Sequence, residues 1–248
     1  MTLLLWLACA KRVDPASLPE TWSLDDKDEV RVELVEALVE AESYERALYA
    51  IGVLRQEGVT DPALDLAQAR ALLGQGLPSE AVVLLESSPK SPAQQAVLGL
   101  ARFDAGDPEG AADAFRKAAK RGDAGVARSE LYNNLGFALA AAGQHEEALD
   151  AYREALMLDA SMVRARNNQG FSLAALGRDD EALAAFKLAA DDRTLGAAAR
   201  DADAHYNLGL ARLARGDTDL AREAFEAALA VHPDHERAVA ALSELESP

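Results

Sequence analysis

Few residues in this chain could do chemistry. Four histidines, His145, His205, His232 and His235, are the candidates for acid–base work or metal binding. His232-Pro-Asp-His235 sets two imidazoles three residues apart with a carboxylate between them. A zinc site needs three or four converging ligands, and no others converge on this stretch, so it reads as a turn. His145 also falls in a turn, and His205 at an ordinary packing position. The single cysteine, Cys9, excludes an intrachain disulfide framework and Cys-rich zinc sites. No Gly-rich phosphate loop, Gly-x-Ser-x-Gly elbow or His-Glu-x-x-His pair occurs. Carboxylates are abundant, but most lie on helix faces expected to be solvated. The chain therefore reads as a non-enzyme that calls for no cofactor and no metal.

Cys9 has chemistry of another kind. It lies in an apolar run, residues 3–10, behind Leu7-Ala8. The run is far shorter than the roughly 20 residues that span a bilayer, and it suits the apolar region of a secretory signal. The pattern resembles a bacterial lipobox, in which a small residue precedes the cysteine that receives the lipid. Trp6 stands where a lipobox usually carries Leu. No Lys or Arg precedes the run, so a basic leader region is expected upstream of Met1. Residues 1–9 are thus read as a leader with Cys9 as the lipidation site; the plainer alternative is a loose N-terminus with a chance cysteine. Residues 10–27 hold Pro15, Pro19, Ser17 and Ser23 without helical period and read as a flexible linker. It would reach about 25 Å as a coil.

These features must be carried by helices. Ala and Leu supply over a third of the 248 residues, Ile51 is the only isoleucine, and aromatics are 5%. Ala and Leu favour helices, whereas strands favour β-branched and aromatic residues, so the chain is expected to be all-α. A formal net charge of −17 argues against nucleic acid and anionic membrane surfaces as partners. Membrane contact is expected only through a lipid anchor at Cys9.

The helices repeat. Tyr132-Asn-Asn-Leu-Gly136, Arg166-Asn-Asn-Gln-Gly170 and His205-Tyr-Asn-Leu-Gly209 align, and seven residues after each Gly comes another: Gly143, Gly177 and Gly216. Ala148, Ala182 and Ala221 follow, then Tyr152, Phe186 and Phe225, then Ala155, Ala189 and Ala228. Upstream, Gly99, Gly106, Ala111, Phe115 and Ala118 keep the register. Leu72, Gly76, Ala81 and Leu85 keep it more loosely, and Leu34, Leu38, Ala47, Ile51 and Leu54 most loosely.

This pattern resembles the tetratricopeptide repeat family, whose unit is a helix–turn–helix of 34 residues. Six units are expected over residues 28–235, starting at 28, 62, 92, 129, 163 and 202, with extra residues near 126–128 and 197–201. Small residues at the eighth and twentieth places let paired helices approach closely. Gly106, Gly143, Gly177 and Gly216 should end first helices in the left-handed conformation, and Asp107, Asp179 and Asp217 should cap second helices. Residues 236–248 are expected to form a capping helix and tail, with Ala238, Val239, Leu242 and Leu245 on its inner face. The implied fold is a right-handed solenoid of about six hairpins plus that cap.

The resemblance further implies an inner groove lined by the first helices. Carried over residue by residue, its fifth and ninth places are Asn133 and Phe137, Asn167 and Phe171, and Tyr206 and Leu210. Asn amides both donate and accept hydrogen bonds, and Phe and Tyr serve as anchors. The neighbouring Asn134, Asn168 and Asn207 are expected to pack and to bond helix ends. The Lys and Arg that let some family members clamp a C-terminal carboxylate are missing from these places. The implied function is a non-catalytic scaffold that docks a protein partner. The leader, linker and repeats together resemble the pilotin lipoproteins of type IV pili and the tetratricopeptide lipoproteins of Tad pili. That layout implies an outer-membrane lipoprotein facing the periplasm. A cytoplasmic adaptor, or a regulatory subunit of an enzyme, is the alternative.

Overall fold

Glycine placement explains most of the hairpin turns. In the computed structural model, Gly76, Gly106, Gly143, Gly177 and Gly216 have φ of +73°, +84°, +76°, +71° and +82°. At each, the chain reverses through the same pair of backbone bonds. At Gly177, for example, its N–H donates to the Ala174 carbonyl at 2.9 Å and that of Arg178 to Leu173 at 2.9 Å. This double closure satisfies carbonyls that a helix end leaves unpaired. The first turn makes the same bonds without glycine: Glu42 donates to Val39 at 3.0 Å and Ser43 to Leu38 at 2.9 Å, with Glu42 at φ +55°.

The structure describes residues 28–88, 91–121, 126–190 and 202–246. Among them are thirteen α-helices and no strand. The leader, the linker, Cys9 and the segment 197–201 lie outside the described residues. Val126 and Ala127 precede the helix that opens the fourth hairpin. The chain divides into two compact units, Met1–Gly125 and Val126–Pro248.

The first unit holds three hairpins: α1 (Asp28–Glu40) with α2 (Tyr44–Gln56), α3 (Pro62–Gly74) with α4 (Pro78–Ser87), and α5 (Pro92–Asp104) with α6 (Pro108–Arg121). Pro stands at or near the start of α3, α4, α5 and α6, where its missing N–H costs nothing. Ser91 and Gln94 form a reciprocal capping box at the start of α5. Val35, Leu38, Ile51, Leu54 and Leu64 form the core of its first half.

The second unit holds α7 (Arg128–Ala141) with α8 (His145–Leu158), α9 (Val163–Ala175) with α10 (Asp179–Ala190), and α11 (Ala202–Ala214) with α12 (Thr218–Val231). It closes with α13 (Glu236–Glu246). Within these hairpins a glycine on the first helix receives a ring from the second. A Cβ on Gly136, Gly170 or Gly209 would sit 2.5, 2.6 or 2.4 Å from the ring of Tyr152, Phe186 or Phe225. Gly99 and Phe115 repeat the arrangement in the first unit, at 2.7 Å. Each ring is buried, so the glycine is what lets the two helices close.

Two details differ from expectation. Of the three expected aspartate caps, Asp107 does bond a helix N-terminus, accepting from the Gly110 N–H at 2.9 Å. Asp179 instead lies inside the first turn of α10, because Arg178 intervenes after the turn glycine. Asp217 precedes α12 with ψ 62°, short of the extended backbone that aims a capping side chain, and makes no such bond. On α13, Ala238 is fully buried against Phe225 and Ala228, and Leu242 and Leu245 pack beside it. Val239 lies outside these contacts and is 46% exposed.

Candidate functional site

The ninth places of the three hairpins in the second unit form a row. Phe137 on α7, Phe171 on α9 and Leu210 on α11 are 48%, 47% and 38% exposed. Their helices bury the opposite sides: Leu131, Leu135 and Leu139 on α7, Ala165 and Leu173 on α9, Ala204 and Leu208 on α11. Helical period alone therefore keeps the row outward. The Phe171 ring meets Phe186 edge-on at 5.2 Å and 77°, which fixes its direction while leaving one side open. Leu213, three residues beyond Leu210, is also exposed and extends the apolar strip.

The amides behind the row are engaged between repeats. Asn168 Nδ2 donates to Asn133 Oδ1 at 3.2 Å, and Asn207 Nδ2 donates to Asn167 Oδ1 at 3.1 Å. Each bond joins the fifth place of one repeat to the sixth of the next. Asn133 is only 5% exposed, and its own Nδ2 lies 3.4 Å from Asn134 Oδ1. Asn167 is half-buried. Tyr206 stands apart from the row: its ring packs on Phe225 at 5.6 Å and on His235 at 5.4 Å, with the Arg237 guanidinium over it at 5.1 Å. The outward surface is thus phenylalanine and leucine, with the asparagines as its frame.

Charges brace the same interfaces. Arg164 meets Glu130 through two bonds of 2.6 and 2.8 Å, spanning one full repeat. Arg237 bonds Asp203 in the same manner across the last interface. His235 joins Asp203 through Nε2 at 3.0 Å and accepts the Ala238 N–H at Nδ1. It therefore anchors α13, and His232 merely ends α12. Among the described residues no group of three or more His, Cys, Asp or Glu is placed to hold a metal ion. No helix of the described residues is long and apolar enough to cross a membrane.

Four groups titrate away from their usual ranges: Tyr152, Asp159, Arg178 and Glu181. Burial pushes the Tyr152 hydroxyl well above the ordinary phenol range, and Ser172 beside it pulls weakly the other way. Both residues are 1% exposed, so they serve packing rather than the row. The Asp159 carboxyl is held below its usual value, first by the Ser161 hydroxyl at 2.6 Å and next by the Ser161 backbone N–H at 2.9 Å. That bond pair shapes the link between α8 and α9. The inter-repeat asparagine bonds were hidden in the sequence because their partners stand 35 and 40 residues apart. The repeated Asn-Asn pair was the signal that could have located them.

Comparison with known proteins follows the same lines. Family models described as tetratricopeptide repeat match residues 66–126, 129–161 and 202–235, together just over half of the chain. No curated protein matches the chain in sequence. Among solved structures, YrrB, a TPR protein with an unusual peptide-binding site, is 24% identical. The match covers 78% of this chain and 98% of that one, with a TM-score of 0.55. MamA from AMB-1 is 24% identical over 64% of this chain and 95% of its own, with a TM-score of 0.57. The Pseudomonas aeruginosa protein pilF is 14% identical over 87% of this chain and 96% of its own, with a TM-score of 0.66. At such identities the likeness is one of fold.

Proposed function

Since the chain belongs to the tetratricopeptide repeat family, we propose that it is a non-catalytic scaffold that docks a partner protein on the first-helix face of its second unit. The observation that carries this reading is the outward row of Phe137, Phe171 and Leu210. Large apolar side chains exposed at equivalent places of consecutive repeats mark a binding surface more than chance does. The fold is compatible with such a role, since YrrB has a peptide-binding site. The row carries no charge in a chain of net charge −17, so the contact is apolar and depends little on salt.

The proposed setting is a bacterial envelope, with a lipid on Cys9 and the repeats assisting assembly of a pilus- or secretion-type complex. What supports it is the layout: one cysteine behind Ala8 at the end of an apolar run, then a Pro- and Ser-bearing linker, then the repeats. One acyl chain binds a membrane only marginally and two or more hold it stably. The test is a pull-down from the native host, comparing the parent chain with a Phe137→Ala, Phe171→Ala double variant and with Cys9→Ser. The partner should be lost with the phenylalanines, and Cys9→Ser should move the protein from the detergent phase to the soluble fraction. A partner retained undiminished sinks the docking row. Equal solubility, or a retained N-terminus seen by mass spectrometry, favours the cytoplasmic adaptor.

A further inference from the structure

One imidazole ties α13 to the last hairpin. His235 stands just before α13, and its Nδ1 accepts the Ala238 N–H at 3.1 Å. That is the bond an N-cap side chain makes to the third residue of a helix. The same N–H is shared with the His235 carbonyl at 3.0 Å. On the other side of the ring, Nε2 lies 3.0 Å from Asp203 Oδ1 on α11. A backbone N–H can only donate, so Nδ1 carries no proton. In the neutral ring Nε2 therefore holds the proton and donates it to Asp203. The tautomer is fixed from both sides, and one side chain bonds α13 and α11 together. The Tyr206 ring packs on the imidazole at 5.4 Å, and the His235 side chain is only 10% exposed.

A second proton cannot enter this arrangement without breaking it. Protonated Nδ1 is a donor, and it would face the Ala238 N–H, another donor. It would also set a positive charge at the positive end of the α13 dipole. The carboxylate that could compensate is Asp203, but Arg237 already bonds the same Oδ1, and Asp203 is half-exposed. The other titratable or charged groups around His235 are Tyr206 and His205 on α11, His232 and Asp234 in the turn, and Glu236 at the start of α13. Asp234 and Glu236 are exposed, where water and salt screen them. We propose that His235 is a pH-sensitive latch. Neutral, it locks α13 onto α11; charged, it releases α13 and opens the end of the last hairpin. What α13 covers there is apolar: Phe225 and Ala228 are fully buried, with Leu229 beside them, against Ala238, Leu242 and Leu245. Release is a local opening that turns this face to solvent. The latch uses none of Phe137, Phe171 and Leu210, so it stands apart from the docking reading.

The test is hydrogen exchange of the full chain, read by mass spectrometry at pH 7.5, 6.5 and 5.5 and corrected for the pH dependence of the chemical exchange rate. Ordinary carboxyls titrate below this window and imidazoles within it. The amides of residues 236–246 should lose about fivefold in protection from pH 7.5 to 5.5, the worth of one helix cap. Those of α9 should hold theirs. His235→Ala, which has no acceptor, should show the acid level of protection at every pH. His235→Asn supplies a cap that cannot charge, so its profile should be flat. His232→Gln should behave as the parent. Nitrogen-15 NMR of the imidazoles at pH 7.5 should find the His235 proton on Nε2. Unchanged or rising protection of 236–246 in the acidified parent overturns the proposal, as does a proton on Nδ1. So does acid loosening of His235→Ala or His235→Asn as steep as the parent's, which would assign the effect to another group.

Discussion

Asn168 donates its side-chain amide to Asn133 across 3.2 Å and one repeat boundary, and Asn133 is 5% exposed. The equivalent bond from Asn207 ends on Asn167, which is half-buried. The two bonds have the same chemistry and differ in access to water. That difference gives the first prediction. Asn168→Ala should cost about 1–3 kcal/mol in urea unfolding, because it leaves a buried acceptor without a donor. Asn207→Ala should cost less, since water can replace the lost donor at Asn167. Equal losses would mean that water reaches Asn133 as well.

The glycines separate into two kinds. A Cβ on Gly170 would lie 2.6 Å from the Phe186 ring, whereas a Cβ on Gly52, inside α2, meets nothing within 4 Å. Gly170→Ala should therefore destabilise by about 1–3 kcal/mol through overpacking. Gly52→Ala should stabilise by about 0.5–1 kcal/mol through helix propensity. Adding Phe186→Leu to Gly170→Ala should recover part of the loss. Calorimetric melting of the three variants distinguishes the effects.

Glu42 is the one described non-glycine residue with positive φ, at 55°, in the turn where the other hairpins carry glycine. A left-handed conformation costs an ordinary residue about 1–2 kcal/mol. Glu42→Gly removes that strain and returns part of the gain through the greater freedom of the unfolded chain. The net result should be about 0.5–1 kcal/mol of added stability in the first unit, read as a shift of its urea midpoint. Gly177→Glu, the reverse change at φ +71°, should lower stability.

Two carboxylates titrate below their usual range: Asp159 through Ser161, and Glu181 through its hydrogen bond to Arg178. A carboxyl whose folded pKa is lowered stabilises the fold at pH above its ordinary value. That contribution is lost as pH falls through the lowered one. Melting temperature should thus decline in acid, below about pH 4. Asp159→Asn keeps an acceptor for Ser161 and cannot titrate, so its melting temperature should fall less steeply over the same window. Parallel curves for variant and parent would remove Asp159 from the acid response.

Much of the fold was legible in the residues because its causes are local. A glycine seven residues past another sets the turn, and the Gly–ring–Ala spacing sets the hairpin. Gly136 with Tyr152 and Gly170 with Phe186 can be paired by counting. The outward direction of Phe137 and Phe171 also follows from helical period, since apolar residues on either side fill the inner face. What local spacing could not decide was the use of each polar group. Asn133 and Asn167 occupy one repeat position, yet one is buried and the other half-buried. Asp107 caps its helix while Asp217 does not. Val239 shares the apolar pattern of the inner face and stands exposed. The asparagine outcome depends on neighbours a whole repeat away, and the aspartate outcome on the backbone conformation at each turn. Only the packed tertiary structure sets them.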